Sequence, residues 1–133
     1  MVEGEGYIVV GGFLGCTCDN GHFENIYSAV RVEGSNVSGG LVGGERGNND
    51  SMFNKTYWNV EISGQEKGIY PSVDYPEIQG RTTEQMVYPY GGDTYDGWNF
   101  TDIWQDGLHS IVVDYAGNVG YPALAWQDWV APQ

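Results

Sequence analysis

The chain has 133 residues and a mass of 14.6 kDa, the size of one domain. Apolar residues make up 41% of it and charged residues 17%, and five Trp, ten Tyr and four Phe supply ample surface for a packed core, which excludes wholesale disorder. Eighteen acidic residues against five Lys and Arg give a net charge of −13, which excludes nucleic acids and anionic membrane surfaces as partners. The acidic field suits cations or a cationic partner instead.

No segment of the sequence predicts insertion into a membrane. An early stretch without charge or proline, residues 7–18, is twelve residues long and contains three glycines. A spanning helix needs about 20 apolar residues. A basic start followed by an apolar core and a cleavage site is also missing, so we expect no signal peptide within this sequence.

Two segments in the first half of the chain are copies of one pattern. A Gly-Gly motif recurs at a spacing of 28 residues, and a Phe-x-x-x-Tyr-x-x-Val motif recurs at a spacing of 30. The motifs stand at Val10–Gly15 and Ser38–Gly43, and at Phe23–Val30 and Phe53–Val60. Within each copy, short β-rich runs such as Met52–Ile62 are separated by Gly, Asn and Asp clusters.

A repeat of this size cannot bury its own apolar face, so each copy must stack on a neighbour. The sequence therefore predicts an all-β fold, in which residues 1–64 form a short right-handed parallel β-solenoid of about two coils. Solenoids need about three repeats for stability, and their terminal repeats are atypical. We therefore expect this chain to be the end of a longer stack, with further repeats of the same chain upstream.

The repeat stops after Gly64, and residues 65–133 are predicted to form a C-terminal capping region within the same structural unit. Thr82 is a good helix cap, with Gln85 at the third helical position, and Pro89 stops the helix soon afterwards. The cap should therefore contain one short helix. Two strands, Leu108–Tyr115 and Val119–Trp126, are predicted to form a hairpin around the intervening glycine.

The tryptophans of this second region suggest how the stack is closed. All five Trp lie from Trp58 onward. We expect Trp98, Trp104 and Trp126 to form one aromatic cluster that covers the open end of the solenoid. An exposed last coil would present unpaired strand edges, and a lid of large rings can cover them.

Several blocks of the sequence resemble one known family. Gly39-Gly40-Leu41-Val42-Gly43 resembles the repeat signature of the GLUG-motif proteins, which are repetitive surface proteins of bacteria and archaea, and Lys55–Gln65 is similar to the segment that closes their arrays. Further similar blocks follow in the family's order at Gly80–Met86, Gly97–Phe100, Ile103–Trp104 and Tyr121–Trp126. Asn59 stands where the family usually has Asp, and residues 69–78 and 109–118 look inserted.

The resemblance implies the terminal, capping module of a secreted or cell-surface protein. Such a module would serve display, adhesion or association with the cell envelope, with an extracellular or cell-surface polymer, such as a polysaccharide, as its partner. The resemblance implies no catalytic residues and no cofactor. Because these implications concern the family, they are expectations for this chain.

Two other functions stay open on the sequence alone. A glycan-binding module would use cap aromatics, since flat rings stack on sugar faces, and its candidate residues are Tyr90, Tyr95 and Trp129. A polysaccharide-active enzyme, a glycoside hydrolase or lyase, would need two carboxyl groups about 5 to 9.5 Å apart. The nearby acid pairs are Asp93 with Asp96, Asp102 with Asp106, and Glu61 with Glu66.

Among metal ions, calcium is the one that the sequence supports best. Two loops are rich in the oxygen ligands that calcium prefers, and neither matches an EF-hand or a nonapeptide calcium repeat. The candidate ligands are Asn48 and Asp50 in the first loop, and Asp93 and Asp96 in the second. Ordinary turn chemistry of Asn and Asp explains the same residues.

Overall fold

The computed structural model describes residues 2–3, 10–17, 22–33, 38–45, 52–69, 78–108, 110, 112–114 and 116–126 of the chain. Regular structure in these residues is mostly strand, together with two very short helices. The strands are β1 (Val2–Glu3), β2 (Val10–Gly11), β3 (Leu14–Thr17), β4 (His22–Ser28), β5 (Val32–Glu33), β6 (Ser38–Gly39), β7 (Val42–Glu45), β8 (Met52–Asn59), β9 (Ile78–Arg81), β10 (Trp104–Gln105) and β11 (Ala123–Leu124). The helices are α1 (Val60–Ser63) and α2 (Thr83–Met86). The predicted dominance of β-structure is confirmed.

Parallel strand pairs join the first repeat unit, residues 2–31, to the second repeat unit, residues 32–61. β1 pairs with β5, β2 with β6, β3 with β7 and β4 with β8. The partners across these pairs include Val10 and Ser38, Leu14 and Val42, and Phe23 and Phe53. They are 28 or 30 residues apart, as the two sequence motifs are. The alignment of the two copies is thus confirmed as a strand register.

Residues beyond the second repeat unit continue the parallel pairing. β9 pairs with β8, so β4, β8 and β9 form a small three-stranded parallel sheet with β8 in the middle. An isolated parallel bridge also joins Ile69 to Val42, and the Gly40 amide donates to the Lys67 carbonyl over 2.8 Å. The sequence analysis assigns these residues to the cap, and the boundary at residue 64 stays a prediction.

Both repeat units bend at the same place. Asn25 in β4 and Lys55 in β8 have positive φ angles of 56° and 51°. The pairing of β4 with β8 leaves these two residues out and resumes at Ile26 and Thr56. A residue with positive φ turns the chain away from the extended path. The two units therefore share a bend as well as a register.

The three-stranded sheet buries side chains on both of its faces. Tyr57 and Trp58 are neighbours in β8 and point to opposite faces, as successive residues of a strand do. Trp58 belongs to a buried inner core with Leu41, Val42, Phe53, Ile69 and Ile78. Tyr57 belongs to a second cluster with Met86, Tyr95, Trp98 and Tyr121. Each large apolar side chain buried in this way stabilises the fold by about 1.5–3 kcal/mol relative to exposure.

Gly40 allows the closest contact of the inner core. A Cβ atom at this position would stand 2.0 Å from Cδ1 of Trp58, well inside van der Waals contact. The ring is held in place by a hydrogen bond of 3.0 Å from Nε1 of Trp58 to the carbonyl of Gln65. The Gly-Gly motif is therefore required here because the Trp58 ring occupies the space of a side chain at residue 40.

The strand predicted over Met52–Ile62 is wrong at its C-terminal end. β8 stops at Asn59, whose Oδ1 accepts hydrogen bonds of 2.9 Å from the amides of Glu61 and Ile62. These bonds cap α1, which ends at Gly64 with a φ angle of 72°. The short helix at α2 is confirmed: its N-cap and third residue form the predicted reciprocal capping box. Neither helix of the described chain has the length or hydrophobicity required to span a bilayer.

The predicted hairpin near the C-terminus is reduced to one bridge. Val113 and Val119 form an isolated antiparallel bridge, called the valine bridge below, and the turn between them has a φ angle of 89° at Gly117. β11 pairs with β10 in antiparallel fashion, not with the segment that precedes it. In the described residues, the predicted strands over Leu108–Tyr115 and Val119–Trp126 are therefore not continuous. The pairing with β10 takes β11 out of the hairpin.

Candidate functional site

The second buried cluster, called the aromatic cluster below, joins the repeat units to the C-terminal half of the chain. Its buried members are Tyr57, Met86, Tyr95, Trp98 and Tyr121, and the half-buried rings that pack against them are Tyr27, Tyr90, Phe100 and Trp104. The ring centroids of Trp98 and Trp104 are 4.6 Å apart, and those of Tyr95 and Trp98 are 4.8 Å apart. Such ring pairs contribute about 0.5–1.5 kcal/mol each beyond the area they bury.

The prediction that three tryptophans share one cluster is confirmed for two of them and wrong for the third. Trp98 and Trp104 are in contact, whereas Trp126 is 76% exposed and lies outside the cluster. The pairing of β11 with β10 ends at Leu124, and the side chains that follow lie at the surface. Tyr121 supplies a ring to the cluster instead, stacked on Tyr27 at 5.8 Å.

The position of the aromatic cluster also differs from the expectation. Tyr27 comes from the first repeat unit and Tyr57 from the second, and the cluster packs against both. It therefore covers the face of the sheet opposite the inner core, along both units, and does not lie over the open end alone. The Tyr27 hydroxyl donates to the carbonyl of Pro122 over 2.7 Å, which links this face to the chain near β11.

Burial raises the pKa values of the tyrosine hydroxyls in the aromatic cluster. It raises the pKa of Tyr90 to about 12, although the Gly107 amide donates to that hydroxyl. Burial also raises the pKa values of Tyr27, Tyr95 and Tyr121 above their usual range. At neutral pH these groups are hydrogen-bond donors and not bases. The Tyr95 hydroxyl, for example, donates to the carbonyl of Met86 over 2.9 Å.

A buried polar network ties α1 to the valine bridge. Nδ2 of Asn59 donates to Oγ1 of Thr83 over 2.9 Å and to the hydroxyl of Tyr121 over 3.1 Å. The Tyr121 hydroxyl in turn donates to Oδ2 of Asp114. Because each member has a partner, the network stabilises a region where an unpaired polar group would cost about 1–3 kcal/mol.

Asp114 is the one carboxylate of this network. Burial alone would raise its pKa, but hydrogen bonds outweigh burial and lower the pKa of Asp114 below its usual value. The donors are the Tyr121 hydroxyl, the amides of Ala116 and Asn118, and the Asn118 side chain. Both carboxylate oxygens are thus engaged within the protein. Asp114 is a structural anion and is not arranged as a catalytic acid.

A groove of about 300 Å³ lies between the first repeat unit and the valine bridge. It is lined by Gly12, Phe13, Ser28, Val30, Val113 and Asp114, among others. Most of this lining is apolar, and the carboxylate at its edge is already saturated with hydrogen bonds. The groove therefore suits an apolar side chain better than a sugar, because the Asp114 carboxylate is already bonded within the protein and Oγ of Ser28 is buried.

The aromatic residues predicted for glycan binding do not share one surface. Tyr95 is 2% exposed and has no accessible face on which a sugar ring could stack. Tyr90 is half-buried, and its ring packs against Tyr95 and Phe100. Trp129 lies outside the described residues.

Two of the predicted acidic candidates, Asp93 and Glu61, serve local structure. Asp93 forms an ion pair of 2.7 Å with Arg81, whose guanidinium lies 5.1 Å from the Tyr57 ring. Oε1 of Glu61 accepts from the Thr83 amide over 2.7 Å. Asp96 is exposed, and Asn48 and Asp50 lie outside the described residues. Within the described part of the chain, no three His, Cys, Asp or Glu side chains are grouped as they would be to hold a metal ion.

Sequence reasoning missed the polar network and the groove. The turn around Gly117 was visible in the sequence, and an Asp three residues before it is the usual signal for an Asx-type turn. No sequence pattern indicated that Asp114 would meet Tyr121 and Asn59.

Comparisons of this chain with protein-family models, with curated proteins and with solved structures find no match.

Proposed function

We propose that this chain is a non-catalytic terminal module that closes the stack of a secreted or cell-surface β-solenoid. The observation that carries the proposal is the parallel register between the two repeat units. Equivalent residues pair over four successive strands, from Val2 opposite Val32 to Ser28 opposite Trp58. Parallel pairing at the spacing of the sequence repeat is the defining relationship of stacked coils.

The short strand β9 and the neighbouring Tyr57 ring of the aromatic cluster lie at the end of the proposed stack. β9, with four residues, is half as long as β8, with eight. Its last residue, Arg81, is engaged by Asp93, Thr94 and the Tyr57 ring. Short edge strands and charged edge residues are the devices by which proteins prevent further strand pairing. This arrangement supports a capping role.

The biological setting of the module follows from its resemblance to the GLUG-motif proteins. That resemblance supports display, adhesion or cell-envelope association, with an extracellular or cell-surface polymer as partner. The net charge of −13 supports solubility and cation-rich surroundings. Among the described acidic residues, Glu61, Asp93 and Asp114 accept hydrogen bonds or pair with cations within the fold, which supports a structural and non-catalytic role for them.

Glycan binding is the second candidate, and one exposed ring favours it. Trp126 is the most exposed of the large hydrophobic residues in the described chain, and the amide of its neighbour Ala125 donates to the carbonyl of Ile103, another exposed residue. A flat ring beside an apolar side chain at the surface can stack on a sugar. If the module binds glycans, the sugar would bind at this surface and not at Tyr95.

Two tryptophan variants distinguish the candidates. Trp98→Ala removes a buried ring and should cost about 3–5 kcal/mol of stability, whereas Trp126→Ala should change stability by about 0.5 kcal/mol or less. Both are compared with the parent by thermal melting and by retention on a panel of polysaccharides. The capping proposal fails if Trp98→Ala melts like the parent. Glycan binding replaces it if Trp126→Ala melts normally and loses retention.

A further inference from the structure

Equivalent residues of the two repeat units differ sharply in exposure. Phe13 and Leu41 occupy the same place in the Gly-Gly motif, 28 residues apart, and the Phe13 amide donates to the Leu41 carbonyl over 2.8 Å. Leu41 is 0% exposed because the chain near Gly68 covers its other side, where the Leu41 amide donates to the Gly68 carbonyl over 3.0 Å. Phe13 is 47% exposed. The first unit thus has a neighbour on one side only in the described chain.

The edge strand of the first unit, β4, contains two buried side-chain oxygens that lack hydrogen-bond donors. In the described part of the chain, β4 pairs with β8 on one side and stands at the edge of the sheet on the other. Oδ1 of Asn25 and Oγ of Ser28 are buried and have no hydrogen-bond partner. Both residues belong to β4. Buried oxygens without donors are rare in finished structures.

The valine bridge stands beside this edge and presents apolar side chains to solvent. Val113 and Phe13 both line the groove, and both bridge valines are exposed. Hydrogen bonds stabilise the turn that carries the bridge, because Asp114 accepts from Asn118 and from the buried Tyr121. Because these hydrogen bonds hold the turn in place, the exposed valines and Phe13 form a candidate contact surface beside the groove.

We propose that β4 and the groove receive one further parallel coil, and that the valine bridge contacts that coil directly. The inference rests on the proposed function and names its partner: a coil whose strand pairs with β4 as β4 pairs with β8, and whose apolar side chain fills the groove against Phe13 and Val113. It continues the interface already present between the two units. A second copy of the whole chain fits less well, because two chains of charge −13 repel each other.

The test adds such a coil to the full chain. Residues 2–31 are duplicated directly ahead of Val2, so every added residue stands in the register that Val2 has with Val32. Val113→Lys is introduced into the parent and into the extended chain. Leu108→Lys is the matched control, since Leu108 and Val113 are 56% and 57% exposed and Leu108 does not line the groove. Thermal melting and hydrogen exchange of the β4 amides are measured.

We expect the extended chain to melt at a higher temperature and its β4 amides to exchange more slowly. Val113→Lys should lower the melting temperature of the extended chain by about 2–4 °C and leave the parent unchanged, while Leu108→Lys changes neither. If the added coil protects β4 but Val113→Lys has no effect, the contact with the valine bridge is overturned and the capping function stands. If β4 exchanges as in the parent, the docking inference is overturned together with the proposal that this chain ends a stack.

Discussion

The side-chain amide of Asn59 donates a hydrogen bond of 3.1 Å to the hydroxyl of Tyr121, a residue 62 positions further along the chain. The direction of this bond is fixed by the surroundings. Oδ1 of Asn59 already accepts from the amides of Glu61 and Ile62, so only its Nδ2 faces Tyr121. The Tyr121 hydroxyl is then free to donate to Asp114. The side-chain amide of Asn59 therefore caps α1 and fixes the direction of the hydrogen bonds that run through Tyr121 to Asp114.

Asn59→Asp should destabilise the protein by about 1–3 kcal/mol, because two carboxylates would then compete for the single Tyr121 proton in a buried site. The prediction is of interest because Asp is the residue expected here from the family resemblance. Chemical denaturation at neutral pH measures the loss.

Asn99→Asp is the control for this substitution. Oδ1 of Asn99 accepts the same pair of bonds, from the amides of Thr101 and Asp102 at 2.9 Å each, but the residue is exposed. A carboxylate can make those bonds equally well. Equal losses for the two variants would contradict the role given to Nδ2 of Asn59.

The network should also make the protein sensitive to acid. Hydrogen bonds hold the pKa of Asp114 below its usual value of 3.8, so its contribution to stability is complete above that pH and is lost as the pH falls through the lower value in the folded protein. Asp114→Asn should cost about 1–3 kcal/mol at neutral pH, and the difference from the parent should shrink in acid. Denaturation curves over a pH series measure this, and a difference that stays constant would contradict it.

Alkaline pH should act on the aromatic cluster with the opposite sign. Burial raises the pKa of Tyr90 to about 12, from 10.0, and raises the pKa of Tyr95 further. The stability that comes from keeping these hydroxyls neutral is therefore complete below pH 10 and is lost as the pH rises through the values in the folded protein. Tyrosinate absorbance is titrated in the native and the denatured chain. Coincident titration curves would show that the cluster does not shield its hydroxyls.

Leu41→Asp should be among the most damaging substitutions in the chain. Leu41 lies in the inner core with no exposed surface, and an unpaired carboxylate there should cost more than about 3 kcal/mol. Phe13→Asp, at the equivalent position of the first unit, should cost far less because that side chain reaches solvent. Circular dichroism and melting compare the two variants. Similar losses would contradict the difference in environment between the units.

The strand register and α2 could be predicted from the sequence because both depend on local patterns. Repeated spacing placed Phe23 opposite Phe53, and the Thr82 capping box marked the start of α2. α1 was missed although its signals were present, an N-cap Asn59 and a closing Gly64. The β-rich run that precedes α1 concealed the start of a helix only one turn long.

The contacts between distant segments could not be predicted in the same way. β9 pairs with β8 although β9 lacks the repeat motif, so no repeated spacing in the sequence predicts this pairing. Trp104 and Trp126 look alike in sequence, yet only Trp104 joins the aromatic cluster, because the pairing of β10 with β11 decides which ring faces inward. Such choices depend on how the chain packs in three dimensions and leave no local signature.

The unequal ends of the three-stranded sheet have a consequence for assembly. β9 is short and ends in Arg81, which is held by Asp93, while β4 at the opposite edge has seven residues. A head-to-tail contact that repeats without closing produces an open fibre. If β4 receives a coil as proposed and β9 does not, the subunit would act as a chain stopper: it would join a growing end once and then halt growth.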